Sequence, residues 1–177
     1  MSVAFTKCIE QVFDNEGGYA NDPNDSGGET MYGITKAVAR ENGYTGKMKN
    51  LPKATASEIY YKKYWLAGKL DKVKSIKVAF LILDMNVNHG LKNATIILQR
   101  ALNRCDAGLK VDGIFGAKTL QAVNDNCKKD AEADLTDALI AERLKFYIGV
   151  SKWYLYSKSW IRRVANNMIF LKELKNT

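Results

Sequence analysis

Two carboxylates and one hydroxyl near the start of the chain have the types and spacing that could cut a glycosidic bond. Glu16 is followed by Asp25 and Thr30, and the segment between them is rich in glycine, asparagine and aspartate. A glycosidase needs a protonated acid for the leaving oxygen and, across the scissile bond, a carboxylate or a positioned water. We therefore consider Glu16 as the acid, Asp25 as its partner and Thr30 as a residue that helps to hold the water.

The same residues also have simpler interpretations. A glutamate at a helix end is usually a solvated surface residue, and Asp22 and Asn24 are typical of Asx-turns. The loop also matches the start of a calcium-binding EF-hand loop at Asp22, Asn24, Ser26 and Gly27. That motif requires a bidentate glutamate at its position 12, where this sequence has Gly33. We therefore expect no metal ion and no other cofactor.

A predicted amphipathic helix over residues 3–15 would position the acid. Its apolar residues Phe5, Ile9, Val12 and Phe13 recur at helical spacing, and Glu16 follows on or near the same face. A carboxyl in such a place is partly removed from water, and desolvation raises a carboxyl pKa towards the range that a general acid needs. Gly17-Gly18 would end this helix.

The remaining pattern is mainly α. Residues 17–34 predict a loop or a small, irregular β-hairpin, and Thr35 predicts the cap of a short helix that stops near Gly43. Thr55 and Glu58 have the spacing of a capping box for a helix through about Ala67. Further helices are predicted over 76–89, ending at Gly90, and over 92–104, 117–127, 130–148 and 158–174.

The composition is that of a globular protein, with 46% hydrophobic and 26% charged residues in 177. The net charge of +8 favours a polyanionic partner: a nucleic acid, an anionic membrane or an acidic cell wall. No stretch is long enough to span a bilayer, so we expect no stable membrane insertion. The first residues lack the pattern of a signal peptide, so we expect synthesis in the cytoplasm.

Three cysteines, Cys8, Cys105 and Cys127, accompany a single histidine, His89. An odd number without a CxxC motif predicts free, buried thiols and no disulfide framework. A zinc site would lack ligands. A cysteine amidase or peptidase that uses His89 stays an alternative, although no cysteine has a recognisable nucleophile context.

Four blocks in this sequence resemble, in the same order, glycoside hydrolase family 108, the N-acetylmuramidases found mainly as phage endolysins. The most specific is EGGYANDPNDSGGETMYGIT, from Glu16 to Thr35. The others are DMNVNHG at Asp84–Gly90, VDGIFGAKTLQAV at Val111–Val123 and SWIRRV at Ser159–Val164. The third resembles the start of the family's C-terminal peptidoglycan-binding region.

The resemblance implies a lysozyme-like α fold that hydrolyses the bond between N-acetylmuramic acid and N-acetylglucosamine. It implies a catalytic region over 1–91, with a helical, peptidoglycan-binding-like region over 92–177 packed on the first. The family's catalytic glutamate corresponds to Glu16, its loop carboxylate to Asp25 and the following threonine to Thr30. We expect the anomeric centre to invert, because a carboxylate on a loop suits the activation of water.

Four other residues are candidate substrate contacts. Asp84 and Asn88 share a helix face, and they either bind sugar hydroxyls and acetamido groups or tie the glycine-rich loop to the helix. Tyr19 and Tyr32 flank the loop and either stack on sugar rings or pack locally. His89 is assigned a structural role or a place at the rim of the site.

A second aromatic group, Trp153, Tyr154, Tyr156 and Trp160, either lines a glycan groove or packs between the last helices. We expect a monomer that binds bacterial peptidoglycan and no nucleic acid, and that reaches the wall through a separate pore-forming protein, a holin. A wall-binding or phage structural protein without activity is the remaining alternative.

Overall fold

The structure is a computed structural model of the chain and describes residues 1–21, 28–128 and 130–174. The chain divides into two compact units, Met1–Trp65 and Leu66–Thr177. Helices dominate both units, and short strands occur in the first. This confirms the predicted mainly α class. Among the described residues, no helix combines the length and the apolar character needed to cross a membrane.

The first unit begins with helix α1, Val3–Glu16, as the hydrophobic spacing predicts. Ser2 caps it by accepting a hydrogen bond from the Phe5 N–H at 3.2 Å. Its apolar face is buried. The helix ends at Gly17, whose φ of 78° lies in the left-handed region and whose N–H donates to the Phe13 carbonyl.

A small antiparallel sheet follows, in the order β1-β2-β3. Its strands are β1 (Tyr19–Ala20), β2 (Thr30–Met31) and β3 (Ile34–Thr35). Between β2 and β3, Tyr32 and Gly33 both have positive φ, 53° and 71°. That is the two-residue hairpin turn whose twist matches the flanking strands.

Helices α2 (Lys36–Glu41) and α3 (Lys53–Tyr60) complete the first unit. Thr35 caps α2 as predicted, by accepting from the Val38 N–H. The capping box predicted at Thr55 is wrong, because Pro52 stands at the N-cap and α3 begins at Lys53, two residues before Thr55. The chain then continues as a π-helical turn over Tyr61–Leu66.

The second unit is built on helix α4, Ile76–Arg104. Ser75 caps it by accepting from the Val78 N–H at 3.2 Å. Gly90 interrupts it with φ 76° and ψ 157°, values that are not helical. The predicted end of a helix at Gly90 is therefore confirmed. The domain boundary predicted between residues 91 and 92 stays a prediction.

Three more helices pack in the second unit: α5 (Ala117–Asp125), α6 (Glu132–Ile148) and α7 (Trp153–Glu173). The loop before α5 is held by the buried Gln99 side chain, whose amide oxygen accepts from the Asp112 and Gly113 N–H groups. Helix α7 begins five residues earlier than predicted, at Trp153. Its first turn carries exposed aromatic and apolar side chains, so the period of a buried face does not mark its start.

Candidate active site

Glu16 is the last residue of α1 and is half-buried. The buried Phe13 precedes it by one helical turn, so the carboxyl lies at the end of the apolar face. Gly17 then turns the chain away. This is the position predicted from the sequence, next to the core and still accessible to solvent.

The Tyr32–Gly33 turn lies directly against the Glu16 carboxylate. A Cβ atom placed on Gly33 would be 2.5 Å from Glu16 Oε2 and 2.9 Å from the Tyr60 hydroxyl. Real Cβ atoms do not approach other atoms so closely, and the φ of Gly33 also disfavours a side chain. A side chain at this position would therefore strain the backbone and displace the ends of the Glu16 and Tyr60 side chains.

Tyr60, on α3, fixes this turn. Its hydroxyl donates a hydrogen bond of 2.7 Å to the Tyr32 carbonyl. Its ring contacts Phe13 edge-on, with 5.6 Å between centroids, and Phe13 also contacts the Tyr32 ring at 5.1 Å. Helix α1, the turn and α3 are thus joined beside the acid. The contact of Tyr32 with Phe13 favours the packing interpretation of Tyr32, and its sugar contact stays a prediction.

Tyr64 also lies near the acid, one helical turn after Tyr60. Its burial and the negative charge of Glu16 raise the pKa of the Tyr64 phenol. The Tyr60 and Tyr64 rings lie 5.3 Å apart. Neither residue is predicted as part of the site from the sequence. The aromatic run IYYKKYW was the available signal, but nothing local connects it with a residue more than 40 positions earlier.

Thr30 is in β2 and is half-buried, with Ala20 and Thr35 as its cross-strand neighbours. It therefore belongs to the same unit as Glu16. Asp25 lies outside the described residues, as do the turn formers and the EF-hand-like positions between 22 and 27. The catalytic roles of Asp25 and Thr30 stay predictions.

Tyr19 has an exposed ring and a fixed hydroxyl. The hydroxyl donates to Glu29 Oε1 at 3.0 Å, and Lys36 Nζ lies 3.3 Å from Glu29 Oε2. The hydrogen bond from Tyr19, together with Lys36, lowers the pKa of Glu29, and the same hydrogen bond raises that of Tyr19. Glu29, which sequence analysis missed, thus holds Tyr19 beside a surface cavity of about 380 Å³.

Comparison with known proteins identifies the family. Residues 9–90 match the model of glycosyl hydrolase 108, and residues 93–165 match that of a predicted peptidoglycan domain. Among solved structures, SagA of Brucella abortus is 32% identical, with a TM-score of 0.74 over 95% of this chain and 94% of that chain. The chain belongs to glycosyl hydrolase family 108. A search among curated proteins found no significant match.

Membership of family 108, with the peptidoglycan domain, makes this protein a glycosidase that degrades peptidoglycan. The resemblance seen in the four sequence blocks is confirmed. So is the lysozyme-like fold with a helical C-terminal part, because the similarity to SagA covers nearly the whole chain.

Asp84 of this family 108 chain is fully buried in the second unit. Its carboxylate is 2.6 Å from Arg143 Nη1 and 2.8 Å from Arg163 Nη2, and it accepts from the Asn167 amide at 2.7 Å. Burial alone would raise its pKa, but the two guanidinium groups outweigh it and hold the pKa of Asp84 well below its usual range. This geometry favours a structural role. The sugar contact of Asp84 stays a prediction, and its full burial argues against it.

Asn88 and His89 follow on the same helix. The Tyr147 hydroxyl donates to Asn88 Oδ1 at 2.7 Å, so this amide oxygen is engaged within the unit, and a sugar contact stays a prediction. His89 packs against the Phe146 and Tyr147 rings. Its burial and the charge of Arg143 lower the pKa of His89 to about 3. A neutral, packed imidazole fits the structural role assigned to it.

The cysteines of the family 108 chain are free thiols. Only Cys8 is buried, while Cys105 and Cys127 are half-exposed, so the prediction of buried thiols holds for one of them. Burial raises the pKa of all three, that of Cys8 to about 12. A nucleophilic cysteine needs a lowered pKa, so this chemistry argues against a cysteine amidase.

Proposed function

We propose that this family 108 protein is an N-acetylmuramidase with Glu16 as its general acid. It would hydrolyse the β-1,4 bond between N-acetylmuramic acid and N-acetylglucosamine. One observation carries the proposal: a half-buried carboxyl at the end of α1 lies against the Tyr32–Gly33 turn. A carboxyl held by backbone and aromatic groups keeps one orientation, as proton transfer requires.

The proposed step uses two carboxyl groups and one water. Protonated Glu16 gives its proton to the glycosidic oxygen while the bond from that oxygen to the anomeric carbon breaks. Asp25 takes a proton from the water that attacks the anomeric carbon, and Thr30 helps to hold this water. The products are a free hydroxyl on one sugar and a new reducing end on the other. A direct attack by water inverts the anomeric centre.

Mass spectrometry of digested peptidoglycan tests the bond and the acid together. We expect new reducing ends on N-acetylmuramic acid from the wild type and none from Glu16→Gln. Asp14→Asn is the matched control, because it makes the same change at an exposed position of α1. Reducing ends on N-acetylglucosamine would contradict the bond assignment, anhydro ends would contradict the role of water, and full activity of Glu16→Gln would contradict the acid.

Stereochemistry is tested separately by nuclear magnetic resonance of freshly formed product. Inversion of a β bond gives the α anomer first. If the β anomer appears first, the enzyme retains configuration and Asp25 acts as a nucleophile instead of a base.

The biological setting follows from the resemblance to phage endolysins. We propose a monomeric phage endolysin that is made in the cytoplasm and released by a holin. Lysis of a producing cell should require co-expression of a holin. Lysis without one would contradict this route.

A further inference from the structure

An aromatic cluster joins the end of α6 to the start of α7. Trp160 is its centre: its ring stacks on Tyr147 at 4.7 Å with 16° between the planes. Trp160 also contacts Tyr156 at 5.7 Å and Trp153 at 6.2 Å. We call Tyr147, Trp153, Tyr156 and Trp160 the Trp160 cluster.

The cluster extends from the core to the surface. Tyr147 is 1% exposed, Trp153 and Trp160 are half-buried, and Tyr156 is 46% exposed. A cluster that served only core packing would bury its outer ring as well. Here an aromatic surface is offered to solvent at the outer end of a stack.

The inner end of the cluster is rigid. The Tyr147 hydroxyl donates to Asn88 on α4 and lies 3.2 Å from Arg143 Nε, which donates to it. The Arg143 guanidinium also lies over the Tyr147 ring at 5.4 Å. Trp160 stacks on this fixed ring and is in turn contacted by Trp153 and Tyr156. The outer rings therefore have less side-chain freedom to lose when they bind a ligand, which is the advantage of a preorganised surface.

The chain segment that carries the cluster has charged residues of one sign only. From Arg143 to Lys172 the sequence contains basic residues and no acidic one. Lys152, Lys158 and Arg162 are exposed on the segment that carries the aromatic rings. The surface therefore suits a ligand that combines apolar ring faces with negative charges.

We propose that the Trp160 cluster, in the second unit, is a binding site for peptidoglycan strands. A sugar ring stacks on Tyr156 and on the accessible part of Trp153, and basic residues attract the carboxylates of the peptide stems. The peptidoglycan-domain match at 93–165 spans the whole cluster and favours this ligand over other anionic surfaces. The inference rests on the proposed function in one respect: the strand held here is the one cut at Glu16.

Co-sedimentation with purified sacculi tests the site, with every protein carrying Glu16→Gln so that the sacculi stay intact. Adding Tyr156→Ala should weaken binding about tenfold, as expected for the loss of one stacked ring. Tyr156→Phe should restore it, and Tyr156→Leu should not, because leucine keeps apolar area without an aromatic face. Circular dichroism and thermal unfolding should show that every variant is folded.

Tyr154→Ala is the matched control. Tyr154 is a neighbouring tyrosine on α7 and is more exposed, at 77%, but none of the ring contacts that define the cluster involves it. Tyr154→Ala should leave binding unchanged. An equal loss of sacculus binding in Tyr154→Ala and Tyr156→Ala would mean that the exposed face of α7 binds nonspecifically, and would overturn the proposal.

The same variants distinguish two other ligands that could occupy the cluster, an anionic membrane and a second copy of the chain. If Tyr156→Ala weakens binding to phosphatidylglycerol vesicles and leaves sacculus binding intact, the cluster is a membrane site and the proposal is wrong. If Tyr156→Ala only converts a dimer to a monomer in light scattering, the cluster contacts a second copy and the proposal is again wrong.

Release of sugar reducing ends separates this inference from the proposed function. With Glu16 intact, Tyr156→Ala should lower the rate on sacculi at low substrate and leave the rate on short soluble fragments unchanged. If the wild type binds through Tyr156 but releases no such ends, the proposed function fails and the binding site stands. If the wild type releases these ends and Tyr156→Ala changes neither binding nor rate, the binding site is rejected and the proposed function stands.

Discussion

Glu16 in the first unit and Asp84 in the second are both carboxylates near a helical core, yet their surroundings differ in every respect. Glu16 is half-buried and lies against a glycine and beside tyrosines. Asp84 is fully buried between two guanidinium groups. A carboxylate in the second setting stays ionised and holds structure together. The surroundings therefore favour the proton transfer proposed for Glu16 and oppose such a role for Asp84.

Glu16→Gln gives the largest expected effect on activity. The amide keeps the shape of the side chain but cannot donate the proton, and general acid catalysis contributes roughly 10²- to 10⁴-fold. We expect a loss in that range in turbidity assays on sacculi, with an unchanged urea midpoint. A drop in stability that explains the lost activity would remove the contrast with Asp84.

Asp84→Ala should lower the stability of the fold, which Glu16→Gln leaves unchanged. It leaves Arg143 and Arg163 buried without their shared partner, and breaking such a pair costs about 3–5 kcal/mol. Urea unfolding at neutral pH measures this loss. Glu10→Ala is the control, since it removes an exposed ion pair with Lys53 and should change stability by less than about 1 kcal/mol. If Asp84→Ala is stable but fails to bind sacculi, Asp84 contacts substrate after all.

The contrast also shows how far the sequence can be interpreted. The helix that carries Glu16 and the break at Gly90 follow from local signals: apolar spacing in the first case, and a glycine after a helical pattern in the second. The early start of α7 was missed because its first aromatic residues are exposed and carry no buried-face period. A capping box at Thr55 was expected, but Pro52 sets the helix start.

The site was less predictable than the fold because its contacts are distant in the sequence. Tyr60 reaches the turn beside Glu16 from α3, and Arg163 reaches Asp84 across 79 residues. Single-sequence patterns do not show which cation will face a carboxylate. For Asp84 the sequence therefore leaves open a sugar contact and a tie between the glycine-rich loop and the helix, and it does not point to Arg143 on α6 or Arg163 on α7 as partners.

His89 gives a prediction for pH that concerns the second unit. Its pKa is about 3 in the folded protein against 6.5 ordinarily, so below about pH 6.5 only the unfolded chain takes up this proton. Stability should therefore fall as the pH drops, by about 2 kcal/mol at pH 5 from this group. Below about pH 3 the folded state binds the proton too, and the loss stops growing.

Urea unfolding at pH 7 and pH 5 measures this effect. His89→Phe is the test variant, because it keeps an aromatic ring against Phe146 and Tyr147 and cannot titrate. Its stability should change less between the two pH values than that of the wild type. An identical pH dependence in both proteins would assign the acid sensitivity to other groups. Asp84 is excluded between pH 7 and pH 5, because its ordinary pKa of 3.8 already lies below this range and its pKa in the folded protein is lower.

Gly33→Ala probes the Glu16 site with a smaller effect, and Gly43→Ala is its matched control. Both glycines have positive φ, 71° and 86°, so each alanine should lose about 1–2 kcal/mol of stability to backbone strain. Only at Gly33 would the new methyl group meet Glu16 and Tyr60, since nothing lies within 4 Å at Gly43. We therefore expect a somewhat lower urea midpoint for Gly33→Ala than for Gly43→Ala, and a loss of lytic activity in Gly33→Ala alone. Equal activity in the two variants would show that the turn does not position Glu16.

A loss of activity in both variants would mean that strain anywhere in the first unit disturbs the site. Tyr60→Phe would then be the better test of whether the turn positions Glu16. It removes the hydrogen bond from Tyr60 to the turn without adding an atom.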